Sequence, residues 1–361
     1  MSETNRRVTI KDVAKAAGVS TGTVSRFISN TGYVSSESRE KIEKAISDLH
    51  FIPNSTARSM INKKSQIVGV AVPEINNPFL ADLVVKIEAC LSKRNYSILL
   101  CNTGYNTQKT ESFIDDLIMR NAEGVILIAT DISSKKTLEK IHRFLHGVSV
   151  GQKILNFDSI NFADYKSAYD LTNYLMDIGH EKIACIGFNV NASQTVERLD
   201  GVLSALKDRG LPVHEEYMIE SSSGENSGYV CAKKILELED VPTAIIAIND
   251  FYAIGAYEAI YEAGLMVGED ISVVGFDDIG MAKFISPSLT TVNCNTRDMA
   301  EIAADLLMEK IKSGNYNSSE GKEVVLPSQI ILRDSTKSTK NKKKTLLTNG
   351  QIYTTILNTN M

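Results

Sequence analysis

The sequence predicts an N-terminal all-α helix-turn-helix head plus a hinge helix, followed by a two-lobed α/β core with doubly wound parallel sheets. Three observations predict it. Residues 9–49 hold three short amphipathic helical patterns, interrupted at Gly18 and capped afresh. From Ile67 onward, apolar strand-like runs alternate with helical stretches, the pattern of parallel sheets covered on both faces. Charge divides at the same place: residues 1–65 carry 11 Lys+Arg against 6 Asp+Glu, a net of +5, so a chain whose total is −5 leaves −10 for the remainder. A small basic module on an acidic body suits contact with a phosphate backbone.

The head opens at Thr9, which can cap a first helix, with Asp12 three residues on as a capping-box acid. Ile10, Val13, Ala14 and Ala17 then recur at helical spacing. Gly18 supplies the left-handed helix stop, and Ser20 caps a second helix over residues 21–28. Two short helices joined by three residues with a glycine form a helix-turn-helix. The second helix turns Val24 and Ile28 inward and leaves Thr21, Gly22, Ser25 and Arg26 outward, a set of small polar groups and one guanidinium suited to a major groove. A bidentate Arg–guanine pair discriminates by roughly 1–3 kcal/mol. A third helix over 36–49 presents Ile42, Ala45, Ile46 and Leu49 to close a three-helix core, which completes a head over residues 1–50.

Residues 51–65 form the expected hinge. Pro53 can start a helix that Ala57, Arg58, Ser59 and Met60 continue for about two turns, too short to persist alone in water. The core follows over 66–336, with lobes at about 66–161 and 162–336 and the chain crossing between them. Its strand-like runs are 67–72, 98–101, 125–129, 148–151, 183–187, 218–220, 244–248, 271–276 and 324–333. Helical stretches fall at 80–94, 108–121, 135–146, 165–179, 195–210, 227–238, 251–264 and 296–313. Ligands of such sheets bind beyond the carboxyl ends of the strands. Residues 337–361 bring Lys337, Lys340 and Lys342–Lys344 without an acid and read as a solvated, disordered tail.

Composition narrows the function classes. No apolar run nears the roughly 18 residues of a membrane span, and the N-terminus lacks the apolar stretch of a signal peptide. Five scattered cysteines with no Cys-x-x-Cys pair are expected as reduced thiols of a cytoplasmic protein. None of the five histidines has metal-ligand spacing, so neither metal nor cofactor is expected. Phosphate-loop and dinucleotide motifs are missing, and the first strand leads instead into Pro73-Glu74-Ile75, which argues against an enzyme.

The chain resembles the lactose/galactose-repressor family of bacterial transcription regulators over about residues 9–336. The resemblance rests on Thr9-Ile-Lys-Asp-Val-Ala, Val19-Ser20, Thr23-Val24-Ser25-Arg26, Ile52-Pro53-Asn54 with Ala57-Arg58-Ser59, Asn77-Pro78-Phe79, Ile178-Gly179-His180, Arg198, Pro242-Thr243-Ala244, Asn249-Asp250, Val274-Gly275-Phe276-Asp277 and Leu332-Arg333-Asp334-Ser335-Thr336. It implies a repressor that binds a pseudo-palindromic double-stranded DNA operator as a homodimer or dimer of dimers, on a core like that of periplasmic sugar-binding proteins. Carried over by position, Thr21, Gly22, Ser25 and Arg26 face the bases. Thr9, Thr23, Ser29 and Tyr33 extend that surface, and Asn54, Ala57, Arg58 and Met60 carry the hinge contacts. Gly22 has no side chain to read a base edge, which throws direct readout onto Arg26. Met60 stands where the family usually has a leucine wedge.

The effector set implied by the resemblance is Asn77, Phe79, Gln152, Arg198, Asn249 and Asp277. Asp277, Asn249 and Arg198 supply acceptors and donors for a hydroxyl-rich ligand, and Phe79 a flat apolar cover. Asp250 reads as a cap of the helix near Phe251. Two departures matter: Ser223 stands where relatives often place an aromatic platform, and Gln152 where many carry a charge. The expected effector is a carbohydrate, with a purine-like or phosphorylated co-effector as the alternative. A sugar-binding module without specific DNA recognition is the competing class, and the basic outward face of Thr21–Arg26 with Lys11 and Lys15 argues against it.

Overall fold

A computed structural model describes residues 8–29, 32–51, 65–130, 132, 134–190, 192–221, 227–314, 321–339 and 354–355. The chain divides into two compact units, Met1–Gln66 and Ile67–Met361.

The first unit holds α1 (Ile10–Ala17), α2 (Thr21–Ser29) and α3 (Ser36–Asp48). The Asp12 carboxylate accepts both the Thr9 N–H (2.8 Å) and the Thr9 hydroxyl (2.7 Å) at the start of α1. Gly18 ends that helix at φ 66°, a left-handed conformation that costs glycine nothing. Ser20 then accepts the Thr23 N–H at 3.1 Å, and Ser35 accepts that of Ser38 at 3.3 Å to cap α3. Val13, Val24 and Ile42 are wholly buried where the three helices meet, with Ala14, Ala17, Val34, Ala45 and Phe51 around them.

The second unit carries two sheets. The first runs β11-β5-β4-β3-β1-β2, from β1 (Ile67–Val72), β2 (Ser97–Asn102), β3 (Gly124–Ile128), β4 (His146–Val150), β5 (Asp158–Phe162) and β11 (Glu323–Leu326), with every pair parallel. The second runs β13-β12-β10-β9-β8-β6-β7, from β6 (Ile183–Phe188), β7 (Met218–Glu220), β8 (Ala244–Ala247), β9 (Ser272–Asp277), β10 (Thr290–Asn293), β12 (Gln329–Leu332) and β13 (Thr354–Thr355). Only its β10–β12 pair is antiparallel. Helices cover both faces: α4 (Pro78–Ser92), α5 (Thr107–Met119) and α6 (Lys135–Phe144) belong to the first lobe. The second lobe holds α7 (Asp164–Asp177), α8 (Ser193–Asp208), α9 (Ser227–Leu236) and α10 (Asp250–Glu262). One apolar core continues from Val68 and Val70 of the first sheet to Ile246 and Val274 of the second.

Three expectations need correction. The run 324–333 is not one strand: β11 joins the first sheet and β12 the second, separated by Pro327-Ser328, because proline cannot continue a ladder. The lobes are not contiguous segments either. Helix α11 (Thr296–Ser313) packs on α4, β3, β4 and β5, so α11 and β11 return to the first lobe and the chain crosses between lobes three times. Residues 337–339, assigned to the tail, are fixed to the core: Lys337 N–H donates to Ser272 Oγ (3.0 Å) and Thr339 N–H to the Ile178 carbonyl (3.0 Å). Strands β5 and β10 lie outside every predicted run. Among the described residues no helix is long and apolar enough to cross a membrane, and all five thiols are unpaired.

Candidate effector cleft and DNA-reading surface

On α2, Thr21, Gly22 and Arg26 are exposed and Ser25 is half-exposed. Arg26 lies along its own helix, its Nε donating to the Gly22 carbonyl at 3.2 Å. That contact is exposed and readily exchanged for a base edge. Two predicted members are occupied locally: Thr23 Oγ1 lies 2.9 Å from the capping Ser20 Oγ, and Ser29 Oγ donates to the Ser25 carbonyl at 2.7 Å. Thr9 is held by Asp12, and Tyr33 is 86% exposed beside the helices. Asn54, Ala57, Arg58 and Met60 lie outside the described residues.

The six effector candidates stand at or just beyond the carboxyl ends of strands, or on the helix that follows one. Arg198, on α8 after β6, is the centre. Its Nε donates to Asp164 Oδ1 (2.7 Å) and its Nη1 to the Ile248 carbonyl (2.6 Å), while Nη2 lies 3.5 Å from Asp277 Oδ1. The guanidinium also covers the Phe276 ring at 4.6 Å. Two contacts are tight and the third loose, so the Asp277 side of the fork is the side open to exchange. Asp277 ends β9 at φ 101°. Burial pushes its carboxyl up to about 6; Arg198 opposes that rise and the Asp164 charge adds to it.

Asn77 and Asn249 cap helices. Asn77 Oδ1 accepts the Phe79 N–H (2.9 Å) and Asn249 Oδ1 the Tyr252 N–H (2.9 Å). Phe79 packs against the apolar cores of both lobes. Gln152 donates its amide to the Thr130 carbonyl and supports the loop after β4 rather than offering a free fork. Asp250 does not cap α10, since Asn249 does. It is wholly buried and accepts Thr291 Oγ1 (2.5 Å) and the Ile279 N–H (2.9 Å), which ties α10 to β10 and to the turn after β9.

Four further residues join the site. Asp164 begins α7 directly after the first crossing and holds Arg198 in place. Tyr252 packs on both cores, and its hydroxyl lies 2.5 Å from Ser221 Oγ. Its ring needs Gly187, where a Cβ would lie 2.3 Å from it. Tyr105, on the loop after β2, is two-thirds exposed (66%), yet partial desolvation, Glu74 and Tyr252 raise its phenol to about 12. The influence of Tyr252 sets Tyr105, a first-lobe residue, within electrostatic reach of the second lobe. Gln194 of α8 donates to the Gly151 carbonyl and bonds one lobe to the other. Asp164 and Gln194 have no sequence signature, because their partners lie 34 and 43 residues away. The aromatic character of Tyr105 and Tyr252, immediately past strand ends, was the signal available for those two.

The arrangement defines a class: a helix-turn-helix reader joined to a two-lobed receptor with a polar, aromatic-edged cleft. Residues 9–54 match the model for bacterial regulatory proteins of the lacI family, and residues 172–336 that for a periplasmic binding protein-like domain. The HTH-type transcriptional repressor PurR of Pasteurella multocida is 32% identical over 334 residues, spanning 91% of this chain and 99% of that one. The PurR repressor of Histophilus somni is 32% identical over 338 residues, with the same shares. Among solved structures, the lac repressor dimer bound to operator and the anti-inducer ONPF superposes with a TM-score of 0.81 at 27% identity, covering 92% of this chain and 100% of that one. A LacI family regulator from Enterococcus faecium with bound ribose gives 0.69 at 28% identity, covering 76% and 100%. The chain belongs to the lacI family of bacterial regulatory proteins. It is a helix-turn-helix transcription regulator of repressor type rather than an enzyme.

Proposed function

We propose that this chain represses transcription by binding a two-fold operator as a homodimer, and that a small effector in the cleft sets operator affinity. The single observation that carries the gating is the loose third contact of Arg198. A ligand bonding to Asp277 and the free edge of the guanidinium from one lobe, and to Phe79 and Asn77 from the other, binds one lobe arrangement better than another. Only such differential affinity shifts an equilibrium.

Operator reading rests on Arg26, with Thr21 and Ser25 beside it, and on the hinge residues Asn54, Ala57, Arg58 and Met60. Methionine is an accepted wedge for unstacking a base step. Dimer formation is supported by exposed apolar side chains on the second lobe, Phe251 on α10 with Met281 and Phe284 after β9. A regulator of this kind acts in the cytoplasm, where the DNA is.

The effector is read as a compact, flat, polar molecule. A purine-like base fits three aromatic rings (Phe79, Tyr105, Tyr252) together with an Arg–Asp edge, in keeping with relatives that are PurR repressors. A sugar is the second reading, favoured by the ribose in the E. faecium regulator and by a CelR–cellobiose complex with a TM-score of 0.66 at 27% identity. The test is a thermal-shift screen of purines, nucleosides, sugars and sugar phosphates. A melting temperature that climbs with one ligand's concentration identifies the class, since a native-state binder stabilises by RT ln(1 + [L]/Kd). A hit that survives both Arg198→Ala and Asp277→Asn would contradict the assigned site.

A further inference from the structure

The turn that follows β9 carries two consecutive aspartates in left-handed backbone, Asp277 at φ 101° and Asp278 at φ 51°. Residues other than glycine rarely hold such angles, and they persist only where the surroundings over-determine them. The two carboxylates have different partners. Asp277 faces Arg198, whereas Asp278 is held by Arg333, whose Nη2 donates to Oδ1, and by Asn293, whose Nδ2 donates to Oδ2 at 2.8 Å. Arg333 is fixed in turn: its Nη1 donates to the Leu289 carbonyl at 2.7 Å and its N–H to Thr290 Oγ1 at 2.9 Å. The side chains of the Arg333–Asp278 pair are only 4% and 9% exposed, so removing either leaves a buried charge without its counterpart.

These partners come from the three places where the chain passes between lobes. Asp164, which holds Arg198, starts α7 directly after the first crossing. Asn293 ends β10, three residues before α11 carries the chain back to the first lobe. Arg333 directly follows β12, the first strand after the third crossing at Pro327-Ser328. Asp250 pins the next residue of the turn, accepting the Ile279 N–H at 2.9 Å. Two adjacent carboxylates are therefore tied to every segment that links the lobes. A chain of buried hydrogen bonds and ion pairs of this kind can carry coupling between distant sites.

We propose that Asp278, Asn293 and Arg333 are positioning residues: they set the turn that aims Asp277 at Arg198, and so make the effector's carboxylate partner answer to the second and third crossings as well as the first. The inference rests on the reading of Asp277 as an effector ligand. Its test needs no effector, so its failure is distinct from a failure of the ligand screen. Deuterium uptake is compared between the full chain, Asp278→Asn, Arg333→Lys, Asn293→Ala and the double variant Asp278→Asn/Arg333→Lys. The peptides followed cover Phe276–Gly280, Glu197–Val202 of α8 and Val125–Ile128 of β3. In each single variant the turn and the α8 peptide should exchange roughly tenfold faster, with β3 unchanged. The double variant should go no further than its single parents, because both break the same bond. With Asp277→Asn already present, Arg333→Lys should leave the α8 peptide as it is. An α8 peptide that exchanges as in the full chain while the turn loosens overturns the proposal, since the pair would then be a local brace that does not reach Arg198. So does an equal rise in β3, the mark of a general loss of stability. Additive loosening in the double variant, or an effect of Arg333→Lys on α8 that persists without the Asp277 carboxylate, overturns it as well.

Discussion

At the scale of single residues, the proposed readout and gating rest on two arginines in opposite settings. Arg26 is exposed, and among the described residues its hydrogen bond goes to its own helix backbone, a contact that a base edge can replace. Replacing it with alanine should remove about 1–3 kcal/mol of operator preference while leaving weak, salt-sensitive binding to any duplex. Competition binding between operator and random duplex checks this, and unchanged selectivity would remove Arg26 from its role. Arg198 is buried between Asp164 and Asp277, and its Asp277 contact is the looser one. Two buried groups also set an acid response of opposite sign. His180 lies between Thr243 Oγ1 (2.9 Å) and the Lys337 carbonyl, and burial lowers its pKa to about 4 against 6.5. The unfolded chain therefore binds more protons between those values, and stability falls as pH drops through the window, by about 3 kcal/mol at most. Asp277, raised towards 6, acts the other way: its proton is held more tightly in the fold, so stability grows as pH falls below 6. His180→Asn should flatten the loss of stability between pH 6.5 and 4, and Asp277→Asn should steepen it. Urea unfolding across that range checks both signs.

Among the elements, the head is the fragile one. Its core centres on Val13, Val24 and Ile42, and a domain of that size has little stability to spare. Ile42→Ala should cost about 2–5 kcal/mol and melt the head while the body's transition stays in place. Two transitions by calorimetry, with only the lower one shifted, is the expected result, because the units divide at Gln66 and Ile67. Ser20→Ala, which removes the cap of α2, should cost about 1 kcal/mol in the same transition. These elements were legible because helical periodicity and caps are local. The crossing strands were not. β5 (Asp158-Ser-Ile-Asn-Phe) and β10 (Thr290-Thr-Val-Asn) are rich in polar residues that look like loop. In the fold Thr290 and Thr291 are wholly buried, with partners supplied by the chain around Arg333–Ser335 and by Asp250. Their partners come from distant segments that no local pattern announces. The opposite error befell 324–333, where two apolar stretches, Val324–Leu326 and Ile330–Leu332, were joined across Pro327-Ser328-Gln329 into one strand although the chain changes sheet there.

For the whole molecule, the three crossings are the segments about which the proposed ligand-driven change of lobe angle would turn. Most candidate effector residues follow strand ends of one lobe or the other, and Gln194 and Phe79 already join the two. Arg198, Asp277, Asn249 and Phe79 were candidates through the family resemblance, in keeping with the carboxyl-end rule for open sheets, while Asp164 was recognised as the partner of Arg198 only once the chain was folded. Operator affinity should weaken steeply with salt, as counterions released from phosphates require. The most direct measurement is reciprocal linkage, with operator affinity titrated at zero and saturating effector, and effector affinity titrated with and without operator. One factor is expected, the same in both directions, abolished by Asp277→Asn. An effector that binds the cleft yet leaves operator affinity unchanged would contradict it.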